Sequence, residues 1–465
     1  MWRQILLAAG LTLGLAGPAA AQQAMFSTWF GGPGDDGIVS AVIVPDGTVL
    51  VAVKVGPDLK VTLPGKAPAR PSEGLVARLS PISGEIMNAI RLAGAPTDFD
   101  ADESGALYVT GAFGSAKYDL RGRPVWTSNV GGPDARIAPG PSGSAVVLAD
   151  KTVTVISPRG SATKSWKVEA DVALDVACDT AEQIAYVTGY DNRKGAKDAV
   201  PTAFIYAYSG DGKVIWKAYG WTAKELEDAG LAAETRGCRL QMGRDHKLYV
   251  AGEGASAATL WQRQPQDLKQ KVTLAAGDKF QDSTGAGTTA LGFIGRFDSR
   301  TGKLEAGTLL LARQSDDKPA ALKPRALAVD EVGRVYVGGT AAANPPISDD
   351  AFNGKFEGGG AFFTIFDADF RRTYATKLCS GQTNAIGVGA GFIVIAGEGK
   401  DKLTPFKPIQ KEYGGGESDG WIVLLSRSIK AGPTTPEAAP DKAGSGKAAA
   451  DKSAPPAGTD PTKGK

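Results

Sequence analysis

The chain has 465 residues with 52 basic and 50 acidic side chains, so its net charge of +2 supplies no global field for nucleic acid or anionic lipid. Its three cysteines, Cys178, Cys238 and Cys379, match no paired C-x-x-C spacing and are expected as free thiols; a single histidine, His246, excludes a histidine-rich metal centre. The 61 glycines, without long helical or charged runs, favour many short strands joined by tight turns.

Residues 1–21 read as a secretory signal: Arg3, an apolar run from Ile5 to Leu15, and Ala19-Ala20-Ala21 as the cleavage site. The run is too short for a bilayer core of about 30 Å. No cysteine follows it to carry a lipid anchor, and no later segment is apolar enough for an integral membrane span. The expectation is an exported protein, periplasmic or extracellular.

The first strand, "FSTWFGG" at 26–32, resembles segments that close units further along, such as "PVWTSNVGG" (124–132), "VIWKAYG" (214–220) and "RTYATKL" (372–378). Seven strand–turn–strand units recur, beginning at 40, 97, 135, 173, 238, 325 and 384. Six are followed by a complete second hairpin, and the seventh by one strand only, "DGWIVLLSRSI" (419–429). The missing strand at one end and the spare strand at the other predict an all-β fold. It is a seven-bladed β-propeller of four-stranded blades over 26–429, with the N-terminal strand closing the last blade. Residues 430–465 contain no Val, Ile, Leu or aromatic side chain and are expected to form a disordered tail or tether.

Segments such as "STWFGGPGDD", "AVDEVGRVYVGGT" and "KPIQKEYGGGESDGWIVLL" resemble the SBBP repeats of secreted bacterial seven-bladed propeller proteins, with departures in blades 3 to 5. The resemblance implies fold and export, and no defined activity.

With strands lettered A to D from the axis outward, the A–B and C–D turns are short, whereas the long insertions fall in B–C loops and D-to-A connections of blades 4 to 6. Insertions on one face commonly mark a binding face. Thr222 and Glu225 form a capping-box pattern that predicts a short helix within the insertion opened by Trp221. In the largest insertion, Trp261, Gln262 and Arg263 combine an aromatic platform with a forked donor, and Asp278 and Asp282 flank Phe280. These six, Trp221, Trp261, Gln262, Arg263, Asp278 and Asp282, are the candidate ligand-binding residues; the alternative is that they pack over the propeller rim.

Other motifs carry less chemistry. Asp98, Asp100 and Asp102 have the spacing of a calcium loop, but Glu103 and Val109 stand where that loop needs Gly and Glu, so the run reads as strand A. His246 sits in an A–B turn, and Trp29, Trp126, Trp166 and Trp216 recur in strand D, where they predict packing between blades. No metal, cofactor or nucleic acid is expected. The expected function is a monomeric, non-catalytic binding or scaffold propeller that presents its elaborated face to a cell-envelope protein or polysaccharide. The alternative is a hydrolase or lyase of an extracellular polymer, using carboxylates at the mouth of the axial channel.

Overall fold

The computed structural model describes residues 24–427 except 57–58, 65–73, 195–198, 232–233, 256–258, 288 and 354–355, so the expected signal segment (1–21) and tail (430–465) lie outside the described residues. Seven four-stranded antiparallel sheets form the blades of a propeller. Strand A is Gly37–Ile43 in blade 1, Pro96–Ala101 in blade 2, and Arg136–Pro139 in blade 3. In blades 4 to 7 it is Val172–Asp179, Thr235–Met242, Leu322–Val329 and Ser380–Gly389. Each strand A packs beside that of the next blade, and blade 7 returns to blade 1.

The closing strand is Ala24–Phe30, paired antiparallel with Asp419–Ser426 so that Trp29 faces Trp421 and Thr28 faces Ile422. Phe26 and Phe30 are fully buried with Ile38, Val51 and Leu424, which joins the two ends of the described chain in one apolar cluster. Beside this seam two similar loops, Gly31–Asp36 and Gly414–Asp419, interlock. The Asp36 N–H donates to the Ser418 carbonyl, and the Glu417 N–H donates to Asp35. Asp36 accepts N–H bonds from Gly32 and Gly56, each at 2.7 Å, while one carboxylate oxygen of the fully buried Asp419 has no partner.

Two side-chain devices repeat around the ring. In blades 2, 5 and 6 the strand-B tyrosines Tyr108, Tyr249 and Tyr336 donate their hydroxyls to the turn aspartates Asp102, Asp245 and Asp330 at 2.8–3.0 Å, which satisfies a buried O–H and braces the A–B hairpin. The second device joins neighbours. A β-carbon on Gly160, Gly212 or Gly302 would meet Trp126, Trp166 or Trp216 of the preceding blade within 2.9 Å, so each C–D turn glycine lets the next blade rest on an indole. Trp126, Trp166 and Trp216 therefore pack between blades, as expected; at the seam Gly84 meets Phe26 instead, and Trp29 lies edge-on to Tyr413 of its own blade's B–C loop at 5.6 Å.

The insertions depart from the expected arrangement. Rather than rising as one binding face, those of the B–C loops in blades 5, 6 and 7 fold back along the outer strand D of their own blade. Ala275 bridges Thr308 in parallel, and its N–H donates to the Gly307 carbonyl at 2.8 Å. The Ser348 N–H donates to Ala375, and Ser27 and Phe406 exchange both backbone bonds. An outer strand leaves a row of unpaired N–H and C=O groups, and these segments satisfy some of them. In blade 4 the hairpin in which Ile184–Lys194 pairs with Ala199–Ser209 extends beyond strands A and D, and the helix Ala223–Asp228, whose Thr222–Glu225 capping box forms as predicted, packs Leu226 into the apolar cluster. All three cysteines are free.

Candidate functional site: the axial cavity

The six candidate residues do not converge. Trp261 is fully buried: its ring stacks on Phe293 at 4.4 Å, meets Tyr219 edge-on at 4.9 Å, and its indole N–H donates to the Glu253 carbonyl at 2.8 Å. It therefore offers no platform to a ligand. Gly252 and Gly254 make the slot, since a β-carbon on Gly252 would lie 2.5 Å from the indole. Trp221 is half-buried against the same apolar cluster. Gln262 and Arg263 are half-buried, and their carbonyls accept bonds from the Val272 N–H and the Tyr219 hydroxyl. Asp278 is tied to Arg372 of blade 6 and caps the Phe280 N–H; Asp282 caps the Thr284 N–H at 2.8 Å. These contacts fasten the insertion to the rim.

Charged side chains gather instead on the axis, in a cavity of about 110 Å³ lined by all seven inner strands. In six blades strand A carries a bulge that re-aims the following residue, giving Ser40, Asp98, Asp175, Arg239, Ala326 and Ala385. In blade 3 Arg136, which pairs with Leu148, stands at the same level. From blade 2 to blade 5 the level thus reads Asp98, Arg136, Asp175, Arg239, alternating in sign, while the other three blades contribute Ser or Ala.

Part of this polarity fastens blades together. Asp98 accepts the Ile137 N–H of blade 3 at 2.9 Å, and Asp175 accepts the Leu240 N–H of blade 5 at 2.8 Å. Ser40 donates to the Phe99 carbonyl at 2.6 Å, and Asn384 donates to the Ile38 carbonyl at 3.1 Å. Arg136 lies 3.8 Å from Asp98.

Asp100 lies two residues beyond Asp98, and its carboxylate accepts only the N–H of its neighbour Ala101. The register explains this. Asp98 uses the N–H of residue 137, and the next N–H on that side of blade 3 belongs to position 139, which is a proline and has none. Burial, reinforced by the charges of Asp98, Asp175 and Asp102, pushes the Asp100 carboxyl up to about 7. Burial also raises Asp175, against the pull of Arg239 and Arg136. Arg239 is lowered to about 10, by burial first and then by the charge of Arg136, and it makes one hydrogen bond, to the Cys238 carbonyl at 2.9 Å.

Sequence periodicity places Asp98 and Asp100 on strand A without assigning either a role, and it singles out none of Arg136, Asp175 and Arg239. Aligning the strand-A copies at their bulges would have found them, because only blades 2 to 5 carry charge there. Among the described residues no three His, Cys, Asp or Glu side chains gather as a metal site, and no helix is long and apolar enough to cross a membrane. His246 is exposed in its turn, 3.7 Å from Asp179; Ser299 reaches its backbone carbonyl rather than its ring.

No family model matches the chain, and no curated protein matches it. Among solved structures, hydrazine synthase from Kuenenia stuttgartiensis is similar over 82 % of this chain and 95 % of that one, with 12 % identity and a TM-score of 0.47.

Proposed function

We propose that the protein is an exported, non-catalytic propeller of the SBBP type that binds a cell-envelope protein or polysaccharide on the face over blades 4 and 5. The carrying observation is the long hairpin of blade 4, in which 191–194 pair with 199–202 beyond the last residues that strands A and D of that blade pair with. The test is binding of the mature protein to immobilised envelope polysaccharides and to cross-linked envelope protein, beside a variant in which residues 191–202 are replaced by a two-residue turn. Loss of the partner with unchanged β-sheet circular dichroism supports the reading; equal capture by both proteins refutes it.

One observation favours a hydrolase or lyase as the second reading: Asp98, Asp100 and Asp175 line one axial cavity, where burial and like charges push the Asp100 carboxyl up to about 7. General acid–base chemistry needs such a group near working pH. Release of reducing or unsaturated sugar ends by the parent and not by Asp100→Asn would replace the binding reading with this one.

A further inference from the structure

We propose that the axial cavity is a binding site for a small zwitterion, with the ligand's carboxylate on Arg136 and Arg239 and its ammonium group on Asp100. The inference does not depend on which partner the outer face meets.

Size sets the first limit. The cavity measures about 110 Å³, against ~150 Å³ for an engineered cavity that admits benzene. By that measure about four or five non-hydrogen atoms fit within it, the size of a glycine and at most an alanine.

Charge sets the second. Asp98 and Asp175 are already engaged by backbone N–H groups of the next blade. Arg136 is near enough to disfavour the charge of Arg239, and Arg239 uses one donor only. An anion between them would relieve that repulsion and accept the remaining donors, since guanidinium forks match carboxylate geometry. A simple anion would leave Asp100 unsatisfied, and a simple cation would leave the arginines so. A molecule carrying both charges a few ångströms apart answers both deficits, and the remaining lining combines Ala326, Ala385 and Ile386 with the uncharged polar Ser40, Gln241 and Asn384.

Binding should also depend on pH. The groups acting on Asp100 are Asp98 and Asp102 from its own blade, Tyr108 from strand B, and Asp175 from blade 4; Arg136 and Arg239 share the cavity. Protonation removes the charge that holds the ammonium, so affinity should fall as pH drops below about 7.

The test is titration calorimetry on the mature full-length protein with glycine, L-alanine, D-alanine, acetate, ethylamine and lactate. The expected result is saturable binding of at least one amino acid, with acetate and ethylamine at least tenfold weaker. Asp100→Asn and Arg239→Gln should each weaken binding at least tenfold while retaining native circular dichroism. Gln241→Trp, at a half-buried uncharged position of the lining, leaves every charge in place and narrows the cavity; it should block binding and covers the case in which a charge variant misfolds. Absence of binding by all the amino acids, lactate binding as tightly as alanine, or affinity unchanged in folded Asp100→Asn and Arg239→Gln would overturn the proposal.

Discussion

Asp100→Asn should make the protein more stable at pH 8 and leave it unchanged at pH 4. In the folded state the Asp100 carboxyl is raised from 3.8 to about 7, so between those values the native protein holds a proton that the unfolded chain has released. Stability must then fall as pH rises through this window and level off above it. At about 1.36 kcal/mol per tenfold change in acidity, the loss is about 4 kcal/mol at most, because the side chain keeps some access to channel water. A propeller of about 400 residues, unfolding with about 2.1 cal/mol/K per residue, loses about 0.8 kcal/mol per kelvin near its midpoint. The parent should therefore melt up to about 5 °C below the variant at pH 8. Differential scanning calorimetry of both proteins from pH 4 to pH 8 reads this directly, and the difference cancels other titrating groups. A gap that stays constant with pH, or a variant that melts lower at pH 8, would refute the assignment of Asp100 as an uncompensated buried acid.

Asp419 at the seam follows the same sign: burial, with the charge of Asp36 adding to it, raises its carboxyl to about 6, so Asp419→Asn should flatten the stability loss between about pH 4 and pH 6 in the same calorimetry. Removing Ala24–Phe30 should abolish the single cooperative melt and cause self-association on size-exclusion chromatography, because it bares the edge of Asp419–Ser426; a monomer melting like the parent would mean the ring does not need its closing strand. Trp261→Ala should cost about 3–5 kcal/mol in denaturant titration, as for a core aromatic, whereas an exposed platform would cost almost nothing. Gly212→Ala should destabilise more than Gly230→Ala: both have positive φ, 84° and 67°, but only at Gly212 would the new carbon meet an indole, at 2.8 Å, so equal midpoints would argue against the interblade seat.

Blade number, strand order and the closing strand were legible in the chain because each rests on a local signal. Alternating apolar residues mark a strand, and Gly47, Gly105 and Gly333, all with positive φ, mark the A–B turns. Local signals likewise placed a capped helix after Thr222 and Trp126, Trp166 and Trp216 between blades. The position of an insertion in the chain is also local; its path is not. Whether residues 259–282 stand over a face or run down an edge depended on the unpaired N–H and C=O groups of Leu304–Leu310, which belong to a later strand. Trp261 looked like a ligand platform because nothing near it in sequence announces the slot left by Gly252.

The axial site is the extreme case. Its charged residues, Asp98, Asp100, Arg136, Asp175 and Arg239, come from four blades and span more than a hundred positions. Strand periodicity alone determined that each sits on an inner strand. Only closure of the ring decided that they share one small cavity, that the N–H of Ile137 serves Asp98, and that Pro139 leaves Asp100 without a donor. Hydrogen-bonded hairpins are written locally in the sequence, whereas burial, like-charge proximity and the pKa values that follow exist only once distant strands converge.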